Sequence, residues 1–259
     1  MSECSHLNTT NSYSNYLPHH GVLNESKSTT KLRVVFDASA RTSSGKSFNE
    51  IQMVGSPLQD DLLSILLRFR QHKIVVHADI EKMYRVTRVN DIHKPLQKIL
   101  WRAEPSHPLK SYTLNTVTYG TASAPFLATR CLMQLARECD DPSTRSTIER
   151  DFYVDDYCSG EVGITETVDK CRRVIAVLKT AGYNLRKWQS NSQDVLGAIC
   201  GDQIQSTNIT NLQRYRRVEL LKQHFWNRFS EEYVMWLQER TKWRRSSGEL
   251  KEGTLVVLK

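Results

Sequence analysis

The stretch Phe152-Tyr153-Val154-Asp155-Asp156-Tyr157-Cys158 decides how the rest of the chain is read. Two adjacent acids most often mark nothing more than a solvated turn. Here they are flanked on both sides by strand-forming residues, so the run is expected to be a hairpin, with a strand over Asp151 to Val154 and the acids at its tip. A third acid ends another apolar strand, Ile74-Val75-Val76-His77-Ala78-Asp79. If the fold brings these strand ends together, three carboxylates meet near a sheet edge. Two like charges about 4 Å apart, at an effective dielectric near 20, repel by roughly 4 kcal/mol. Such a cluster calls for protons or cations. Mg²⁺ suits hard carboxylate oxygens and keeps positions open for phosphate oxygens. Two ions held by Asp79 and Asp155 would activate a hydroxyl and stabilise a leaving pyrophosphate. Asp156 takes a supporting role in this reading, because neighbouring side chains on a strand diverge.

Working outward, Lys31 to Phe36 (K-L-R-V-V-F) alternates and is β-branched, which predicts a strand followed by a Ser-rich loop. Ser56-Pro57-Leu58-Gln59 has the pattern of a capping box. It predicts a helix to about His72 with Leu58, Leu62, Ile65, Leu66 and Phe69 on one face. Ser123-Ala124-Pro125 opens a helix to about Glu138. A further helix is expected after a Thr165 cap, with Val168, Cys171, Ile175 and Leu178 on its apolar face and Gly182 as its stop. Residues 193–213 lose periodicity and read as a linker. Arg214 to about Arg245 reads as one basic amphipathic helix, and Gly253 to Lys259 as a lone strand. Residues 1–15 are polar and read as a disordered leader.

Composition sets bounds on the function. With 259 residues and 39% apolar content, the chain can bury one sizeable core and a small one. Its formal charge of +8 is compatible with a polyanionic partner. Of that excess, +5 falls in residues 214–245, where nine Lys/Arg stand against four Glu. The six cysteines form no C-x-x-C and no zinc spacing, which points to reduced thiols inside a cell, in the cytoplasm or nucleus. His19-His20 is no metal pair, since adjacent residues of an extended segment face opposite ways. No apolar run of about 18 residues exists, so no membrane partner is expected. The polar N-terminus lacks a signal core.

Five motifs in order resemble the reverse transcriptase of Pao/BEL-type LTR retrotransposons over residues 16–192. They are K-L-R-V-V-F-D-A-S, H-A-D-I-E-K-M-Y, T-V-T-Y-G-T-A-S-A-P-F, F-Y-V-D-D and A-G-Y-N-L-R-K-W-Q-S-N. The resemblance implies an α+β fold, the fingers and palm of a right-hand polymerase, with an antiparallel sheet packed on helices. It implies two Mg²⁺ ions, replaceable by Mn²⁺, bound by Asp79, the Ile80 carbonyl, Asp155 and Asp156. It further implies that Tyr84 is the steric gate against a ribose 2′-OH, and that Lys31 and Arg33 grip the triphosphate. Tyr119-Gly120 then packs under the incoming base and sugar, where some retroviral relatives have Gln-Gly. Lys187, beside Arg186, lies where the family has a lysine that protonates pyrophosphate. The implied partners are an RNA or DNA template-primer and deoxynucleoside triphosphates.

The tail carries a second resemblance. H-F-W-N-R-F-S-E-E-Y, L-Q-E-R-T-K-W and G-T-L-V-V-L-K are similar to the uncharacterised domain that follows the integrase core in the same elements. Arg214, Arg216, Arg217, Lys242, Arg244 and Arg245 are its candidate nucleic-acid contacts. The thumb, ribonuclease H domain and integrase core expected between the two matches have no counterpart here, so the polymerase region is expected to be truncated. Two functions stay open at this point: an RNA-directed DNA polymerase, and an inactive remnant that binds nucleic acid.

Overall fold

A computed structural model describes residues 1–3, 14–23 and 32–200. Strands β1 (Ser2–Glu3), β2 (His19–Leu23) and β3 (Leu32–Phe36) precede helices α1 (Phe48–Ile51) and α2 (Leu62–Phe69). Strand β4 (Ile74–Ile80) leads through the short helix α3 (Met83–Val86) to β5 (Lys98–Trp101) and β6 (Lys110–Thr113). Helices α4 (Ala124–Glu138) and α5 (Pro142–Arg150) then run into β7 (Phe152–Tyr153), β8 (Asp156–Glu161), α6 (Ile164–Thr180), β9 (Leu185–Ser190) and α7 (Gln193–Cys200).

The strands form a four-stranded sheet in the order β7-β8-β4-β9, a three-stranded sheet β1-β6-β5 and the hairpin β2-β3, all with antiparallel neighbours. The α+β expectation, an antiparallel sheet packed on helices, therefore holds. Strand β4 shows why one face is dry. Val76, Ala78 and Ile80 are buried at alternate positions, which leaves His77 and Asp79 on the other face. The dry face meets Ala128, Leu132 and Ala136 of α4 and Val168, Cys171, Val174 and Leu178 of α6. Each fully buried Val, Leu or Ile side chain there contributes roughly 1.5–3 kcal/mol. A smaller core of Leu17, Ala38, Phe48 and Ile99 joins the β2-β3 hairpin region, α1 and β5.

Several boundaries differ from those the sequence predicts. Helix α2 starts at Leu62, where Asp61 Oδ1 accepts from the Ser64 amide at 3.0 Å, and not at Ser56-Pro57. Gln59 is no capping-box partner, because its side chain is engaged elsewhere. Thr165 lies inside α6, whose N-cap is Gly163. The strand expected over Asp151 to Val154 shortens to Phe152–Tyr153. The linker reading fails over Gln193–Cys200, a helix that buries Val195 and Leu196. Its apolar residues are too few for a long periodicity but enough for two turns. Within the leader, Ser2–Glu3 pairs with β6, and Asn15 exchanges backbone bonds with Pro95 and Lys98. Gly182 does end α6, at φ +77°. Lys31, residues 201–213 and the whole basic tail from Arg214 lie outside the described residues. No described helix is long and apolar enough to cross a membrane.

Asp151 closes α5 and accepts from Ser159 Oγ at 2.5 Å. Burial pushes its carboxyl up, against the opposing pull of the Ser159 hydroxyl and the Lys170, His72 and Arg68 charges. A carboxyl raised in the folded state stabilises fully below its unfolded value, 3.8, and that contribution is lost as pH rises through the folded value. Asp151→Asn should therefore lose less stability than the parent chain as pH rises from below 3.8 to neutrality. Paired thermal melts across that range check it.

Candidate active site

The carboxylates meet because β4 lies between β8 and β9. Its register to β8 sets Asp79 directly opposite Asp156, two residues after His77 pairs with Cys158. Opposed residues of an antiparallel pair share a face, with Cβ atoms about 4.5–5.5 Å apart. Asp155 sits one residue back, in the turn, and its carbonyl accepts from the Ile80 amide at 2.8 Å. Asp79, Ile80, Asp155 and Asp156 thus lie at neighbouring backbone positions of β4, β8 and the turn before β8, though among the described residues their side chains form no metal-holding group. Asp156, and not Asp155, faces Asp79 across the ladder. The sequence places both acids at the hairpin tip, whereas the turn ends between them and Asp156 opens β8.

That turn is strained. Val154 adopts φ +54°, a left-handed conformation that a β-branched residue rarely takes. Two-residue hairpin turns require it at the first central position. Gln59 Oε1 accepts from the Val154 amide at 2.9 Å and so holds the strained residue from outside the hairpin. Nothing in the local pattern around Gln59 foretells this role, since the contact spans 95 residues.

Lys187 also belongs to the site. Its ammonium donates to Asp79 Oδ2 at 2.8 Å. Asp156 has His77 Nε2 at 3.4 Å. Arg186 turns to Glu81 at 2.8 Å. Among the described residues, no group of three or more Asp, Glu, His or Cys side chains is arranged to hold one metal ion.

A second group of expected residues gathers around Tyr119. Its hydroxyl donates to the Val34 carbonyl at 2.6 Å, and its ring packs edge-on against Phe36 at 5.2 Å. The Arg33 and Arg85 guanidiniums each lie 5.8 Å from its centroid. Gly120 has φ +91°, and a Cβ there would stand 2.4 Å from the Phe36 carbonyl oxygen, so only glycine fits. Asn49 clamps this loop, donating to the Gly120 carbonyl at 3.1 Å and accepting from the Ala122 amide at 2.8 Å. Arg85 and Asn49 went unnoticed in the sequence because each acts across a long loop closure. Tyr84, next to Arg85, is half-buried on α3 against the main core.

Comparison with known proteins adds three findings. A family model described as a family of unknown function, DUF5641, matches residues 213–259. The search of curated proteins finds no match. Among solved structures, the chain is similar to the foamy viral protease-reverse transcriptase in complex with RNA/DNA hybrid, at 17% identity and TM-score 0.50 over 67% of this chain and 20% of that one. A second, the foamy viral protease-reverse transcriptase dRH in complex with double-stranded DNA, matches at 19% identity and TM-score 0.50, over 66% of this chain and 26% of that one. The native prototype foamy virus enzyme aligns at 17% identity and TM-score 0.48, over 67% and 20%. The chain spans about a fifth to a quarter of those proteins, and the likeness is one of fold.

The Gln59 contact can be tested alone. Gln59→Ala should cost about 1 kcal/mol, the middle of the range for the net contribution of one hydrogen bond, because the Val154 amide it serves is only partly buried. The buried Gln59 Nε2 lacks a partner, so its removal offsets part of the loss. Denaturant midpoints measure the cost, and amide exchange at Val154 should quicken in the same variant.

Proposed function

We propose that residues 16–192 are the fingers and palm of an RNA-directed DNA polymerase, the reverse transcriptase of a Pao/BEL-type retrotransposon. The tail from Arg214 belongs to the same polyprotein in this reading. One observation carries the proposal: Asp79 opposes Asp156 on the open face of an antiparallel sheet, with Asp155 in the adjoining turn. The order of the five motifs and the fold likeness to foamy viral enzymes support it. Those neighbours are complexes with an RNA/DNA hybrid and with double-stranded DNA, which is the partner class proposed here.

The donor set fits a divalent ion in its chemistry, since it offers hard carboxylate oxygens beside a backbone carbonyl. Asp79, Asp155, Asp156 and the Ile80 carbonyl would hold Mg²⁺, or Mn²⁺ in its place. The ion when bound polarises phosphate oxygens and makes a primer hydroxyl more acidic. The chain's own residues do the rest. Arg33, with Lys31 before it, binds triphosphate oxygens through a planar fork and a point charge. Tyr84 excludes a 2′-hydroxyl by bulk. Tyr119 and Gly120 offer a ring and an uncluttered backbone to the base and sugar. Lys187 supplies a proton to the departing pyrophosphate. Arg214, Arg216, Arg217, Lys242, Arg244 and Arg245 add salt-sensitive phosphate contacts.

One observation favours a second reading, a remnant that binds nucleic acid without catalysis. The three carboxylates do not yet converge as a ligand set. Primer extension by the full chain on an RNA template separates the two. The polymerase reading expects nucleotide addition with Mg²⁺ or Mn²⁺ that Asp155→Asn lowers at least about a hundredfold. Salt-dependent binding that survives Asp155→Asn, with no extension at any protein concentration, belongs to the remnant.

A further inference from the structure

Strand β9 meets β4 through an irregularity. Gln189 pairs with His77 and Arg186 with Asp79, so two residues of β9, Lys187 and Trp188, oppose the single residue Ala78. This is the two-against-one count of a β-bulge. Lys187, the first of the two, is left-handed at φ +57°, as in the G1 type of bulge. Most bulges of this kind place glycine there, so a lysine carries a strain cost.

The bulge changes which side chains face the carboxylates. In a regular strand Arg186 and Lys187 would lie on opposite faces. Here Leu185 and Trp188 pack with the main core, while Arg186 and Lys187 both turn to acids. Arg186 is taken up by Glu81, at 2.8 Å, and Glu81 also receives Asn184 Nδ2 at 3.3 Å. Lys187 alone reaches Asp79, also at 2.8 Å. Its side chain is 74% exposed while that of Asp79 is 23% exposed, so the cation can leave to solvent and the carboxylate cannot. An ion pair so exposed on one side is held weakly.

We propose that Lys187 is a resident counterion of Asp79 that a divalent ion must displace, so that the β9 bulge sets the metal affinity of the site. The proposal rests on the polymerase reading, which supplies Asp79 as a ligand. It adds a competition that a proton-donating lysine does not require. The same ammonium that neutralises Asp79 in the metal-free chain is set free beside the phosphates when the ion binds. The bulge would thereby serve both states with one side chain.

The test is Mn²⁺ binding to the full chain without nucleic acid, followed by the paramagnetic resonance of free Mn²⁺. Lys187→Met should tighten binding about three- to tenfold, as expected for removing one partly screened positive charge from beside a ligand. Lys187→Arg keeps the charge and should stay within about twofold of the parent. Asp79→Asn should weaken binding by about tenfold or more. Unchanged or weaker binding in Lys187→Met, with the Asp79→Asn loss intact, overturns the counterion and leaves the polymerase reading standing. Mn²⁺ binding indifferent to Asp79→Asn overturns both. Lys187 is exposed, so its variants should melt with the parent. Lys187→Gln gives the same readout should Lys187→Met fail to fold.

Discussion

Everything at the site depends on where β4 sits between its two neighbours. The bond from the Ile80 amide to the Asp155 carbonyl closes the β8 side at the level of Asp79, and the bulge in β9 closes the other side at the same level. A slip of one residue on either side would send Asp79 into the dry face against α4 and α6. The buried alternation of Val76, Ala78 and Ile80 resists that slip. A well-packed core on one face thus fixes acidic side chains on the other. Two of the three left-handed non-glycine residues among those described, Val154 and Lys187, lie where the two flanking strands must bend to meet this register.

Placing like charges this close has a cost, and the chain meets part of it itself. Lys187 lies on Asp79 and His77 beside Asp156. The acids are therefore not a bare cluster awaiting a cation. They form a partly compensated surface, in which strand geometry supplies the proximity and the Lys187 ammonium supplies positive charge. Tyr119 extends the same economy to the β2-β3 hairpin. Its hydroxyl donates to the Val34 carbonyl, which leaves its ring between the Phe36 ring and the two arginine guanidiniums.

Much of this was legible in the sequence where one short stretch carries its own signal. The hairpin at Phe152 to Cys158, the acid one residue before the end of β4, the helix opened by Ser123 and the stop at Gly182 all follow from local pattern. Legibility failed where a side chain acts far from its neighbours in sequence. Gln59 looked like a helix cap because Ser56 and Pro57 precede it, yet the amide it serves is that of Val154. The β9 bulge has no glycine to announce it. Helix α7 is too short to display a period, and Asn49 and Arg85 have meaning only once the Tyr119 loop is folded against them. The pairing of Asp79 with Asp156 was hidden for a related reason: one residue of turn decides which of two adjacent acids enters the ladder.

The proposed divalent ion binds this sheet face by displacing Lys187 from Asp79. Anomalous diffraction from Mn²⁺-soaked crystals of the full chain tests this most directly. A manganese peak should lie between the carboxylates of Asp79 and Asp155 or Asp156, with the Lys187 ammonium moved off Asp79. Manganese found elsewhere, or nowhere, with the Lys187–Asp79 pair intact at saturating Mn²⁺, would contradict it.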